Sequence, residues 1–364
     1  MSTAPRVLLA AQQLRRTVPG GIGTYARGVL QGLAQLDAAG EAVASVSVYA
    51  SRAPTSPDPL SAMGRPVRAS ALPGPVLTRL WDLGVVRAPG GFDVVHSVSL
   101  AAPPTRREAA GVVAVHDLAW RRTPDQLPGR ARSWHEAALS RALRRATAFV
   151  VPAPAVAAEL VDAGADPAAV LQIPFGCDHL AAPDDGEADR VLARLGVAEG
   201  FLLSVSTLEP RKNLARLFTA YDRARSSLPA PWPLLVVGPE GWGPDLEPGP
   251  GVLLSGAVGE GALSALYRRA RLLAYVPLEE GYGLPVVEAM SCGTPVVASP
   301  VPSTGGAAYE VVPTDVDAIA DALVAVATDE ALRARLADSG RAHSAELTWA
   351  RSARAHVELW RALT

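Results

Sequence analysis

"FLLSVSTLEPRKNLARLFTAY", residues 201–221, opens on an apolar run without alternation and closes on a one-sided helical pattern. Such a run reads as a strand buried on both faces, which a parallel sheet covered by helices requires. In "NLARLFTAY", Leu214, Leu217, Phe218 and Tyr221 fall on one face at helical spacing. Strand followed by amphipathic helix is part of a βαβ unit, and its repetition predicts an α/β, doubly wound architecture.

The pattern does repeat. "RVLLAA", "ASVSVYA", "DVVHSV", "GVVAVHD" and "AFVVPA" precede it, and "PLLVVG", "GVLLSGAV", "RLLAYVP" and "TPVVAS" follow, with helical segments such as "ALSALYRRA" between. One series ends near residue 170. After the Pro/Gly/Asp-rich "PFGCDHLAAPDDGEAD" a second begins at Phe201. Two Rossmann-like domains joined near residues 174–186 are the expectation, with ligands at the carboxyl ends of the strands, in a cleft the domains face. Residues 51–78, rich in Pro and Ser, read as an irregular excursion.

Bulk properties agree. A chain of 364 residues exceeds what one core organises. Its 49% hydrophobic and 19% charged residues exclude disorder, and a net charge of -2 offers nucleic acid no global attraction. Cys177 and Cys292 form no C-x-x-C pair, which excludes a disulfide framework and fits a reducing cytoplasm. Apolar runs are strand-sized, too short to span a membrane, and "RVLLAA" lacks the surroundings of a signal peptide.

"PGGIGTYARGVL", residues 19–30, satisfies G-x-G-x-x-G/A through Gly21, Gly23 and Ala26. A dinucleotide fingerprint needs its first glycine directly after the first strand and an acid ending the second. Here "QQLRRTVP" intervenes, and the second strand ends in Tyr49-Ala50-Ser51. NAD binding fails both tests. Gly20, Gly21 and Gly23 still open a helix whose bare amides attract anions, so a phosphate-bearing ligand stays open beside a ligand-free turn.

In "PLEEGYGLPVVEAMSCGTPVVAS", residues 277–299, Gly281-Tyr282-Gly283-Leu284 turns from strand to helix, with Pro285 suited to the first helical turn. Unpaired amides there can hold phosphate oxygens. Glu280 lies in the turn and Glu288 about one helical turn further, each either complementing the helix dipole or accepting sugar hydroxyls. Arg211 and Lys212 precede another helix, as a solvated pair or as donors to a diphosphate. His116 ends a strand, as does His96, read as a packed neighbour.

These strings resemble the retaining nucleotide-sugar glycosyltransferases of GT-B fold, family 4. Residues 280–288 look like the family's E-x7-E signature, "TLEPRKN" like its G-T-L-E-P-R-K-N segment, and "HDLAW" like the H-D-L segment of a mannosyltransferase-like branch. "GGIGTYARGVL" is similar to the acceptor-side glycine loop, and "LTWARSARAHVELW" to a C-terminal helix crossing back to the first domain. The resemblance implies an acceptor-side domain at 1–173, a nucleotide-sugar domain at 174–348 and a crossing helix at 349–364. It implies a cytoplasmic, metal-independent transfer of a hexose from a nucleoside-diphosphate sugar, GDP-mannose foremost, to an unidentified acceptor hydroxyl with retention.

His116, Glu280, Lys212 and Arg211 are then the expected catalytic set. Gly281, Tyr282, Gly283, Leu284, Glu288 and Val258, with Gly21 and Gly23, are the expected binding set. Two departures stand out: the common pattern has an arginine near Thr207, and Ser303 in "PSTGGAA" replaces the glutamate of P-E-x-x-G. Asp315-Val316-Asp317 starts a helix rather than binding metal, so no metal site is expected. "RRTPDQLPGRARSWHEAALSRALRRA", residues 121–146, carries seven arginines against Asp125 and Glu136, interleaved with Trp120 and Trp134. It is either a solvated helix face or a peripheral contact with anionic lipid at the inner membrane face. Rivals are a nucleotide-sugar epimerase of the same fold, an NAD(P)-dependent redox enzyme and a non-catalytic sugar-nucleotide-binding protein.

Overall fold

Each of the ten apolar runs forms a parallel strand, and the helices between them cover the sheets as their one-sided patterns require. A computed structural model describes residues 4–41, 44–124, 127, 129–229, 232–243 and 246–364. The chain divides into unit 1, Met1–Gly176 with Thr348–Thr364, and unit 2, Cys177–Leu347.

In unit 1 the strands are β1 (Arg6–Ala10), β2 (Ser45–Ala50), β3 (Val67–Ala69), β4 (Val94–Ser97), β5 (Ala110–Ala114), β6 (Ala148–Val151) and β7 (Val170–Gln172). They lie in the order β3-β2-β1-β4-β5-β6-β7. Its helices are α1 (Gly20–Ala38), α2 (Gly74–Asp82), α3 (Ala119–Arg122), α4 (Gly129–Arg145) and α5 (Pro154–Asp162). In unit 2, α6 (Asp185–Arg194), β8 (Leu202–Val205), α7 (Leu214–Ala224), β9 (Leu234–Val237), β10 (Val252–Gly256), α8 (Glu260–Arg269) and β11 (Leu272–Tyr275) come first. Then follow α9 (Leu284–Ser291), β12 (Val296–Ala298), β13 (Tyr309–Glu310), α10 (Val316–Thr328) and α11 (Glu330–Ala345). The sheet order is β10-β9-β8-β11-β12-β13. α12 (Trp349–Ala362) belongs to unit 1. Strand order reverses between β1 and β4 and between β8 and β11, where open α/β sheets take their ligands.

The stretch 51–78 corrects the sequence reading. It holds a 3-10 turn at Pro59–Met63, all of β3 and the start of α2. Arg15 grips both carboxylate oxygens of Asp58 at 2.6 and 2.5 Å, with side chains only 6% and 15% exposed. That long-range ion pair is invisible to local periodicity. β7 and β13 escape notice for a related reason: three and two residues are too few to display a pattern.

α12 packs against α1 because α1 presents glycines to it. A Cβ on Gly28 would stand 2.1 Å from the Trp349 ring, and one on Gly32 would stand 2.0 Å from the Trp349 carbonyl. Beside this contact lies a closed polar chain. Trp360 Nε1 donates to His96 Nδ1 at 3.1 Å, so the His96 proton sits on Nε2 and points at Tyr25 Oη, 3.0 Å away. His356 Nδ1 donates to the Ser352 carbonyl at 2.7 Å, which leaves its Nε2 to accept from Tyr25 Oη at 2.8 Å. The expectation that His96 is a packed neighbour holds: it and His356 are fully buried.

Both imidazoles are neutral in this arrangement. Burial pushes His356 down to about 4 and also lowers His96, where the neighbouring His356 and His116 add to the effect. An unfolded histidine takes its proton near 6.5. Stability from the neutral His356 is therefore complete above about pH 6.5 and is lost as pH falls through 4, and the lowered His96 acts in the same direction. For His356 the loss is on the order of 3 kcal/mol. Urea unfolding at pH 7.5 and pH 5 is expected to show wild type losing more stability on acidification than His356→Gln; equal losses would contradict the neutral chain.

Candidate functional site

Two turns of unit 2, one after β8 and one after β11, are stitched together at the strand-order reversal. Asn213 occupies the left-handed region at φ 61°, which asparagine tolerates, and caps α7 from there. Its Nδ2 donates to the carbonyls of Val276 (2.9 Å) and Pro313 (2.7 Å), while the Leu278 amide donates to the Arg211 carbonyl at 2.9 Å. "PRKN" and "PLEEG" are thereby fixed side by side.

The side chains they carry form a tight charge cluster. Lys212 Nζ contacts Glu280 Oε2 and donates to Tyr275 Oη at 3.0 Å, and Tyr275 Oη donates to Glu280 Oε2 at 2.7 Å. Arg211 reaches Glu280 Oε1 through Nη1 at 3.3 Å and Glu209 Oε1 through Nε and Nη2 at 3.2 and 3.0 Å. Glu280, Lys212 and Arg211 side chains are 12%, 13% and 17% exposed. Burial would raise the Glu280 carboxyl, yet the charges of Lys212 and Arg211, with hydrogen bonds from Lys212 and Tyr275, hold it at about 2. Burial, then the Glu280 charge, pushes Tyr275 well above its ordinary range, so it remains a neutral donor. Three of the four expected catalytic residues thus meet. Arg211 is the most committed of them, a brace between Glu209 and Glu280.

The glycine turn is equally specific. α9 begins at Leu284 with Pro285 in its first turn, and Gly283 before it takes φ 98°. Gly281, Tyr282, Gly283 and Leu284 are all buried. The first helical amides have no acceptor within their own helix. Ser303 holds the carbonyls: its amide donates to Tyr282 O at 3.1 Å and its hydroxyl to Gly283 O at 2.8 Å. The serine standing where the family pattern has glutamate is therefore a buried staple on the turn.

Glu288 joins other partners. Its Oε2 accepts from Tyr267 Oη at 2.8 Å and its Oε1 from His179 Nε2 at 2.9 Å, with the residue 8% exposed. The two glutamates share no partner among these contacts; each anchors its own cluster. Val258 is half-buried just ahead of α8 and packs against the core.

On unit 1, Gly21 lies in the first turn of α1, and the Gly23 amide already donates to Pro19 O at 3.2 Å. His116 follows β5, where Nε2 donates to the Val98 carbonyl at 2.8 Å. A carbonyl only accepts, so Nδ1 carries the lone pair. Burial lowers the His116 pKa and keeps the ring neutral. Tyr25 meets that ring edge-on at 5.0 Å and Phe175 lies 5.6 Å away.

Three arginines of the arginine-rich stretch are committed to intramolecular carboxylates. Arg121 pairs with Glu136 at 2.7 Å, Arg122 with Glu159, and Arg141 with Asp82. Trp120 is buried and donates to Glu136 at 2.8 Å, while Trp134 donates to Asp82 at 2.9 Å. The tryptophans that suggested a lipid contact are turned to intramolecular carboxylates; Asp125 lies outside the described residues. Asp315 caps α10, its carboxylate accepting from the Ala318 amide at 3.0 Å. Among the described residues no His/Cys/Asp/Glu cluster could hold a metal, and no helix is long and apolar enough to cross a membrane.

Sequence reading missed Tyr275, Tyr267 and His179, because an aromatic inside an apolar run or on the buried face of a helix reads as core and a histidine in a linker has no period. Only Tyr275 carries a visible signal, a hydroxyl at the end of β11. Ser303→Ala leaves the Gly283 carbonyl without its side-chain donor, and is expected to cost unit 2 about 1–3 kcal/mol in chemical denaturation.

Comparison with known proteins follows the same division. The family model for glycosyl transferases group 1 matches residues 193–343, and that for the glycosyl transferase 4-like domain matches residues 20–176. O-antigen chain mannosyltransferase B of Escherichia coli is 35% identical over 163 residues, 42% of this chain and 43% of that protein. A D-inositol 3-phosphate glycosyltransferase of Salinispora arenicola is 29% identical over 75% of this chain and 69% of its own length. The chain spans less than half the length of the curated mannosyltransferases it matches. Among solved structures, Anabaena HepE in complex with UDP and glucose shares the fold at TM-score 0.72 and 17% identity, covering 98% of this chain and 100% of that one. Sucrose-phosphate synthase of Thermosynechococcus elongatus does so at TM-score 0.73 and 21% identity, over 99% of both chains. With one glycosyltransferase model on each unit, the chain belongs to the group 1 glycosyl transferases, family 4 of the GT-B glycosyltransferases.

Proposed function

We propose that the protein transfers a hexose from a nucleoside-diphosphate sugar to an acceptor hydroxyl with retention of configuration. The observation that carries this reading is the Lys212–Arg211–Glu280 cluster set against the buried Gly281–Leu284 turn at the end of β11. Cations and helix amides at one strand end are suited to a diphosphate. Negative charge grows on that diphosphate as the bond to the sugar breaks, and donors fixed beforehand stabilise it without reorganising.

In this reading Lys212 takes the diphosphate, with the amides of Gly281, Tyr282, Gly283 and Leu284. Arg211 supports both Glu280 and the local charge. Glu280 accepts hydroxyls of the hexose and Glu288 those of the ribose, with Val258 beside the nucleoside. His116, neutral and with Nδ1 as an acceptor, orients the sugar, and the Gly21–Gly23 end of α1 serves the acceptor side. The sugar–phosphate C–O bond breaks and the acceptor oxygen bonds to the same carbon on the same face. Its proton passes to the leaving phosphate oxygen.

Mannose is proposed as the hexose because mannosyltransferases are among the relatives. The solved relative in complex with UDP-glucose supplies the contrast to test against. GDP-mannose is expected to raise the melting temperature more than UDP-glucose at equal concentration, since a ligand of the folded state stabilises it with occupancy. Lys212→Ala is expected to lower turnover at least about tenfold while leaving the circular dichroism spectrum unchanged. Wild-type turnover in that variant removes Lys212 from the phosphate role, and absence of a shift with any nucleotide sugar removes the reading itself.

A further inference from the structure

Lys212 is paired with a carboxylate of its own cluster. Of its three donors, one meets Glu280 Oε2 and another Tyr275 Oη, and Tyr275 in turn donates to that same Glu280 oxygen. The second cation, Arg211, divides its guanidinium between Glu280 and Glu209, which is 6% exposed. Two carboxylates balance two cations within one mostly buried cluster. A diphosphate cannot simply be added to it. Bringing two or more negative charges to Lys212 sets them against the Glu280 carboxylate, and like charges at such distances repel strongly where water is scarce.

We propose that Glu280 is an exchangeable counter-ion of Lys212, displaced when the donor diphosphate binds and returning to displace the spent nucleoside diphosphate. This deepens the donor-site reading above and rests on it. Exchange keeps the ammonium paired throughout, which matters because a buried charge without a partner is costly. It also links two events. The carboxylate becomes available to sugar hydroxyls only when phosphate has taken its place on Lys212, so Glu280 engages the hexose in step with diphosphate binding. After transfer the hexose departs with the acceptor, Glu280 loses those hydroxyls, and its return to Lys212 favours product release. Glu209 does not take part in the exchange; its hold on Arg211 keeps that side chain fixed while Glu280 moves. Tyr275 remains neutral and marks the position to which Glu280 returns.

Removing the competing carboxylate should then tighten binding of the product, a direction opposite to the usual effect of deleting a binding residue. Calorimetric titration of GDP and UDP into wild type, Glu280→Gln and Glu280→Ala tests this, with thermal melts to establish that each variant is folded. Expected is affinity for the better diphosphate about tenfold higher in both variants, together with slower sugar transfer. Unchanged or weaker diphosphate affinity in the folded variants overturns the counter-ion while leaving the donor site standing. If neither nucleotide binds wild type or variants, the donor-site reading falls, and the counter-ion falls with it.

Discussion

The ion cluster joining Lys212 and Arg211 to Glu280 and Glu209 is the constraint around which unit 2 is arranged. An ammonium and a guanidinium are tolerated at such low exposure only because carboxylates lie beside them. Those carboxylates come from two separate turns, so the turns must be held together. The Asn213 side chain and the Leu278 amide do that. The cluster lies where β8 and β11 diverge, because only there do two adjacent parallel strands send their connections to opposite sides of the sheet. Charge balance, turn geometry and sheet order are in this sense one requirement.

The amide turn beside it obeys a complementary rule. Gly283 adopts a backbone conformation that side chains avoid, and a Cβ there would stand 2.7 Å from Ser303 Oγ. Glycine and serine are therefore matched: the missing side chain lets the hydroxyl reach the carbonyl, and the hydroxyl satisfies a carbonyl that burial would otherwise strand. Unit 1 has its own buried polar chain, through Tyr25, His96, His356 and Trp360, with His116 at its border.

Much of this was legible beforehand where the signal is local. Ten strands announce themselves as apolar runs, α7 and α8 by their one-sided spacing, and the α9 turn by Gly283 ahead of Pro285. Lys212, Arg211 and Glu280 were singled out by residue type at strand ends, and a family likeness gave them a common purpose. What could not be read is set by long-range contact. Arg15 meets Asp58 across 43 positions, and Glu288 meets His179 across 109. Trp134 looked like a surface anchor because nothing in "RARSWHEAA" tells that Asp82 awaits its indole. Ser303 was noticed as a departure, but its hydrogen bond to Gly283 depends on a fold that brings positions 20 apart together.

The chain leaves unit 1 after Gly176 and re-enters it at Thr348, and these crossings touch: Gly176 packs on Trp349, and the Cys177 amide donates to Leu347 O at 2.9 Å. Unit 2 is consequently one uninterrupted insertion whose two ends are clasped, while unit 1 is assembled from the segments that precede and follow it. On the ribosome, the glycine face of α1 must wait for its partner helix until the entire insertion has emerged. The inserted unit is able to mature during synthesis, and unit 1 completes its core only once α12 has been made.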